Sequence, residues 1–154
     1  MRPRIPRSDL GMSQRSTKRL PAFRKPDARR SRNMRAIRSS GNRTTDRRLR
    51  AFLVQNAIKG WKLHPPNMLG NPDLLVPSRR AAVFVDGCFW HGCPRCGHIP
   101  KTNKAYWSAK IARNKKRDVQ SARQLKALGY RVVRIWECQL RKRPDYCLNR
   151  ILAT

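Results

Sequence analysis

Cys88, Cys93 and Cys96 crowd into nine residues, a spacing suited to zinc ligands, and Cys138 follows an apolar stretch that a sheet could bring back to them. Four thiolates would make a closed structural zinc site, with the Pro94 and Arg95 insert as its knuckle; His98 could replace one cysteine. Such a metal performs no chemistry, but it would pin the loop carrying Phe89, Trp90 and His91. Unrelated buried thiols are the plainer alternative, and Cys147 looks like the leftover.

Two of the eight acidic residues stand beside apolar runs rather than among charges. Asp73 opens Leu74, Leu75 and Val76 straight after Pro72, and Asp86 closes Val83, Phe84 and Val85. A carboxylate beside a sheet needs a cation or hydrogen bonds to offset its desolvation, so two on adjacent strand ends would make a natural Mg2+ site. Phosphodiester cleavage uses such a site to activate water and to neutralise charge at the phosphate. The plainer alternative is that each Asp only caps a turn. His91 is the candidate general base, because imidazole ordinarily titrates near neutrality and the cysteine loop sets it close to Asp86. His64 could face the same cleft or simply pack, and Asp118, among Lys115, Lys116 and Arg117, could be only an ion-paired surface acid.

These side chains need a scaffold. Residues 1–32 hold eleven Lys or Arg and two Asp without sustained apolar periodicity, which predicts a flexible basic arm ahead of a domain spanning 33–154. Met34 and Ile37, then Leu49, Phe52, Leu53 and Ile58, recur at helical spacing on either side of a break at 41–45, predicting two helices, the second ended by Gly60. Residues 61–64, 73–76 and 81–85 read as three neighbouring strands separated by Pro and Gly turns. A long helix is predicted over 104–128 with Gly129 just past its end, followed by a strand over 130–136. The order gives a mixed α/β sandwich with the chain ending soon after its last core strand.

Composition narrows the partner. Thirty-seven Lys and Arg against eight Asp and Glu leave a net charge of +29, of the sign that attracts polyphosphate. Nucleic acid leads, although an anionic membrane surface or a ribosomal RNA site would satisfy the same charge, and composition alone does not choose among them. No run of about 18 apolar residues is present and no apolar stretch follows the arginine-rich start, so a cytoplasmic, nucleoid-associated protein without membrane partners is expected.

A Pro-Asp, a hairpin and then an acid at a strand end resemble the PD-(D/E)xK nuclease motif, except that Cys88 stands at its Lys position. More specific is the run Val83-Phe84-Val85-Asp86-Gly87-Cys88-Phe89-Trp90-His91-Gly92-Cys93-Pro94. With Asn33-Met34-Arg35-Ala36-Ile37, Leu63-His64-Pro65, Gly70-Asn71-Pro72-Asp73, Pro100-Lys101-Thr102-Asn103, Tyr106-Trp107, residues 114–118 and Ile135-Trp136-Glu137-Cys138, it resembles the very short patch repair (Vsr) endonucleases in order over residues 33–140.

That resemblance implies a restriction-endonuclease-like mixed sheet flanked by helices, a structural zinc on Cys88, Cys93, Cys96 and Cys138, and Mg2+-dependent nicking of one strand 5′ of the thymine in a T:G mismatch. It implies Asp73 and the Val85 carbonyl as the magnesium site, His91 as base, Asp118 as its supporting acid and Asp86 as a further active-site residue. Phe89, Trp90 and Trp107 would wedge into the duplex beside the mismatch, which costs less to unstack than a paired step, and Met34 would enter from the other groove. Such mismatches arise from deaminated 5-methylcytosine, so links to a cytosine-5 methyltransferase and a repair polymerase are implied for a protein acting as a monomer. Asp46 departs from the family pattern by replacing a Glu one methylene longer, which shortens its reach if it approaches the metal through water. A restriction-like endonuclease of another target and a non-catalytic zinc-containing nucleic-acid-binding protein are the competing expectations.

Overall fold

The computed structural model describes residues 19–25, 28, 29, 32 and 46–153. The helix expected around Met34 and Ile37, and Met34 itself, lie outside the described residues, as does the side chain of Asp46.

Helix α1 spans Asp46–Gln55 and presents Leu49 and Leu53, one turn apart, as fully buried side chains. It ends earlier than expected, and not at Gly60. Ala57 takes the left-handed conformation (φ +53), while Ile58 N–H donates to the Leu53 carbonyl and Ala57 N–H to that of Val54, both at 3.0 Å. This is a Schellman stop with a non-glycine residue in the left-handed place, which is why the sequence pointed to the wrong residue.

Strands β1 (Lys62–Leu63), β2 (Leu74–Val76) and β3 (Ala81–Asp86) pair antiparallel in chain order. The chain then crosses over through helix α2 (Lys104–Ala127) to β4 (Arg131–Trp136), which pairs parallel to β3. The result is a four-stranded mixed sheet with helices packed on it, as the expected α/β class requires. Gly129 (φ +77) follows α2 in the expected place, with Tyr130 N–H closing on the Leu125 carbonyl at 3.0 Å.

Alternation along β3 and β4 sorts their side chains into two clusters. Ala81, Val83, Val133 and Ile135 join Leu49, Leu53, Leu74 and Val76 in the main core, whereas Ala82 and Phe84 pack with Leu125 of α2, Met68, Tyr130 and Val132. Buried on both faces, β3 reads as an apolar run, and the charge at its end is therefore conspicuous.

Two further helices, α3 (Glu137–Lys142) and α4 (Pro144–Leu152), close the main core with Leu140, Cys147 and Ile151. Cys147 is fully buried there, and that burial pushes its thiol pKa up. Arg131 donates through Nη1 to the Arg150 carbonyl at 2.9 Å and through Nη2 to that of Ile151, tying β4 to the end of α4. Among the described residues, no helix is long and apolar enough to cross a membrane.

Candidate functional site

The parallel pairing of β3 and β4 sets Asp86 opposite Trp136 and places Arg134 two residues earlier on the same edge. Arg134 Nε donates to Asp86 Oδ2 at 2.7 Å and Nη2 donates to Asp86 Oδ1, a fork on both carboxylate oxygens. The same Nη2 lies 3.2 Å from Asp118 Oδ2, and the guanidinium stands 5.1 Å over the Phe84 ring. Burial works against the guanidinium charge, but the hydrogen bonds and charge of Asp86, then of Asp118, outweigh it and hold the Arg134 pKa above its ordinary value.

His91 follows β3 in a turn, its N–H donating to the Gly87 carbonyl at 3.1 Å. Its Nδ1 lies 2.6 Å from Asp118 Oδ2 on α2 and 3.7 Å from Asp86 Oδ1. A carboxylate accepts at this separation, so Nδ1 is the donor, and in the neutral ring Nε2 is then the acceptor. Asp86, His91 and Asp118 thus form one cluster whose ligand-type atoms lie within 4.8 Å of one another.

Asp73 is not a member of that cluster. Its Oδ2 accepts the Val85 N–H at 2.7 Å, across the β2–β3 pairing, one residue before Asp86. Of the two acids expected to share a cation, Asp73 has the Val85 backbone as one partner and Asp86 has a guanidinium. His64, exposed with φ +42, donates its N–H to the Asp73 carbonyl at 3.0 Å.

The sequence reading passed over Arg134, although an arginine between Val133 and Ile135 in the interior of a strand was a usable signal. It also missed what holds the turn after β3. Asn114, buried on α2, donates from Nδ2 to the Trp90 carbonyl at 2.9 Å. At Gly92 (φ +63), a Cβ would lie 2.8 Å from both Ile111 Cγ2 and Lys115 Cε, so only glycine lets the turn approach α2 this closely.

Cys88, Cys93, Cys96 and Cys138 converge, with all four sulfurs within 4.8 Å of one another; His98 is not among them. The Cys93 and Cys138 sulfurs are 3.8 Å apart, and the edge of a tetrahedron with Zn–S bonds of about 2.3 Å is about 3.8 Å long. The donor set thus fits a soft, tetrahedral divalent ion. Cys93 N–H donates to the Cys88 carbonyl and Gly97 N–H to that of Cys93, both at 2.9 Å, shaping the knuckle. Burial raises the Cys93 thiol, but backbone hydrogen bonds at Arg95 and Cys96 overcome it and bring the pKa down to about 7. Cys88 and Cys138 are pushed up, in each case chiefly by burial.

Phe89 and Trp90 occupy this turn rather than a strand, both half-buried. Trp107, from the first turn of α2, lies 5.1 Å from Phe89 and 5.8 Å from Trp90 between ring centroids, with Tyr106 5.2 Å away. The rings form a cluster next to the histidine loop and apart from both sheet cores.

The family model described as DNA mismatch endonuclease Vsr matches residues 24–96, which include Asp73, Asp86, His91 and three of the four clustered cysteines. The Type II nicking enzyme V.XorIIP of Xanthomonas oryzae pv. oryzae is 40% identical over 109 residues, spanning 70% of this chain and 78% of the relative. The Type II nicking enzyme V.NaeI of Lentzea aerocolonigenes is 41% identical over 118 residues, or 72% of this chain and 69% of its own. The DNA mismatch endonuclease Vsr of Escherichia coli is 36% identical over 118 residues, covering 75% of this chain and 74% of that protein. Likeness of this extent, together with a histidine–carboxylate pair beside a cysteine cluster, establishes that the chain belongs to the DNA mismatch endonuclease Vsr family and is a DNA endonuclease.

Proposed function

We propose that the enzyme nicks one strand of duplex DNA on the 5′ side of the thymine of a T:G mismatch, of the kind left by deaminated 5-methylcytosine, and that it depends on Mg2+. The observation that carries this reading is the 2.6 Å contact between His91 Nδ1 and Asp118 Oδ2. Held in this way, the ring turns Nε2 toward an incoming water and takes its proton as the water oxygen bonds to phosphorus and a P–O bond breaks. Asp118 fixes the tautomer and stabilises the imidazolium that results.

Asp73, with the Val85 carbonyl, supplies the hard oxygen donors that suit magnesium, whereas the Arg134 fork leaves Asp86 already matched by a cation. When bound, magnesium would neutralise charge on the scissile phosphate. Asp86 and Asp118 against one guanidinium leave the cluster negative in a chain of net charge +29, so the basic surface draws the DNA while the site draws the cation.

Zinc on Cys88, Cys93, Cys96 and Cys138 steadies the turn that bears His91, Phe89 and Trp90. The half-buried rings of Phe89, Trp90 and Trp107 are the surface that meets the mispaired step, since weak pairing lowers the cost of unstacking. Met34 from the other groove and Asp46 near the metal complete the site in this reading. Residues 1–32 act as a basic arm and 33–154 as the endonuclease domain, in a monomer that works on nucleoid DNA ahead of a repair polymerase and alongside a cytosine-5 methyltransferase.

The test is incubation of a T:G duplex and its T:A counterpart with Mg2+ and either the wild-type chain or the Asp73→Ala variant. A single-strand nick confined to the T:G duplex and absent with Asp73→Ala is expected. Equal binding of both duplexes without a nick would leave only a nucleic-acid-binding protein.

A further inference from the structure

One segment of the basic arm is not free of the fold. Asn103 stands at the N-cap of α2 with φ +56, yet its side chain makes no capping bond. Instead its Nδ2 donates to the Arg24 carbonyl at 2.9 Å, and its Oδ1 accepts the Arg24 N–H at 3.1 Å. An amide of the type that ordinarily caps a helix here grips the backbone of a segment 79 residues away.

The grip sets the Phe23 ring against the aromatic cluster, 4.6 Å from Tyr106 and 5.9 Å from Trp107 between centroids. Trp107 is the meeting point, touching Phe89, Trp90, Tyr106 and Phe23. Phe23 remains 39% exposed, so it forms the outer rim of the cluster instead of adding to a core. Around it, Arg19, Arg24 and Lys25 are exposed, and residues 19–25 contain no acid. An apolar ring edged by cations is chemistry suited to a base step flanked by phosphates.

We propose that Phe23 is a specificity-determining residue that acts by positioning Trp107, with Asn103 as the clasp of the strap that carries it. Edge-to-face ring pairs are directional, so one more neighbour restricts the Trp107 ring before DNA arrives. A ring ordered in advance loses less freedom on entering an unstacked step, which favours mispaired over paired duplex. This inference rests on the reading of Phe89, Trp90 and Trp107 as the surface that meets the mispaired step. It gives the arm a role in specificity in addition to electrostatic affinity.

The test uses the full chain labelled with 5-fluorotryptophan, the Trp107 resonance being assigned with Trp107→Phe, together with equilibrium binding to T:G and T:A duplexes. Phe23→Ala is expected to shift the Trp107 resonance and to lower the preference for T:G about tenfold, the effect of one ring pair at the upper end of its range. Affinity for the T:A duplex should stay within about twofold, because the phosphate contacts that supply sequence-independent binding are untouched. Phe23→Tyr, which keeps the ring, is expected to restore both properties. An unmoved Trp107 resonance, or a shifted resonance with the preference intact, overturns the proposal. Tighter binding of Phe23→Ala to both duplexes would make the strap a cover over the cluster and also overturns it. A wild-type chain that binds both duplexes alike overturns the mismatch reading and this inference with it, whereas a wild-type preference that Phe23→Ala retains sinks this inference alone.

Discussion

The Arg134 guanidinium and the Asp86 carboxylate face each other as two matched planes across the parallel β3–β4 pair, 48 residues apart in the chain. Asp86 is 5% exposed, and the fork gives both of its oxygens a directed donor that offsets the cost of burying a carboxylate. The same guanidinium reaches Asp118, which holds His91, and the positions of acid, base and supporting acid therefore depend on one side chain.

Arg134→Leu is expected to strand the Asp86 charge and destabilise the fold by about 2–3 kcal/mol, below the ~3–5 kcal/mol of a fully buried pair because the Arg134 side chain is 26% exposed. Urea denaturation measures this. The double variant Asp86→Asn with Arg134→Leu should recover part of the stability; equal stability of wild type and Arg134→Leu would show that the fork contributes nothing net.

His91→Ala should slow nicking by about 10²- to 10⁴-fold, the usual range for loss of a general base, while duplex affinity stays within about twofold. Single-turnover rates with saturating enzyme separate the two. A large drop in binding would instead make His91 a phosphate ligand. Asp118→Ala frees the ring but leaves the imidazole present, so its rate should fall between those of the wild type and His91→Ala.

Metal binding at the four cysteines should release protons. Cys88 and Cys138 have raised pKa values and hold their protons near neutrality, whereas Cys93, at about 7, is already partly thiolate. Since only thiolates bind, apparent zinc affinity should rise with pH through and above neutrality and fall as the medium is acidified below about 7. Acid released into weak buffer on zinc addition reads this directly. Cys93→Ser should cost folding more than chemistry, and a normally folded, zinc-free, inactive variant would contradict the structural role.

Ile151→Ala should cost about 2–5 kcal/mol, because Ile151 is fully buried against the main core and the gap cannot collapse without moving α4. Denaturant titration at constant m-value tests it; a destabilisation under about 1 kcal/mol would show that the terminal helix packs loosely.

Deleting residues 1–18 removes five Lys or Arg but leaves the strap at 19–25. The slope of log affinity against log salt should flatten by up to about 0.9 for each phosphate that the shortened chain no longer neutralises, with duplex preference unchanged. A changed preference would place specificity in the arm beyond Phe23.

Local chemistry settled much of this molecule from the chain alone. The apolar run over 81–85, the alternation over 130–136, the Gly129 stop and the cysteine spacing each express a short-range rule, and each corresponds to an element or a cluster in the fold. The Ala57 stop evaded that reading because a left-handed residue without glycine has no compositional mark. Cys147 and Ile151 lie one helical turn apart, a legible sign of α4, but the helix is only nine residues long and its stability comes from the sheet beneath it. The partners of the charged groups were settled by tertiary structure alone. Asp73 meets a backbone N–H, Asp86 a guanidinium, Asp118 an imidazole and Arg24 the Asn103 amide, all across distances in sequence that no local pattern spans. Strand register and the crossover through α2 decide which donor reaches which acid, and register is a property of the folded sheet, not of any one segment.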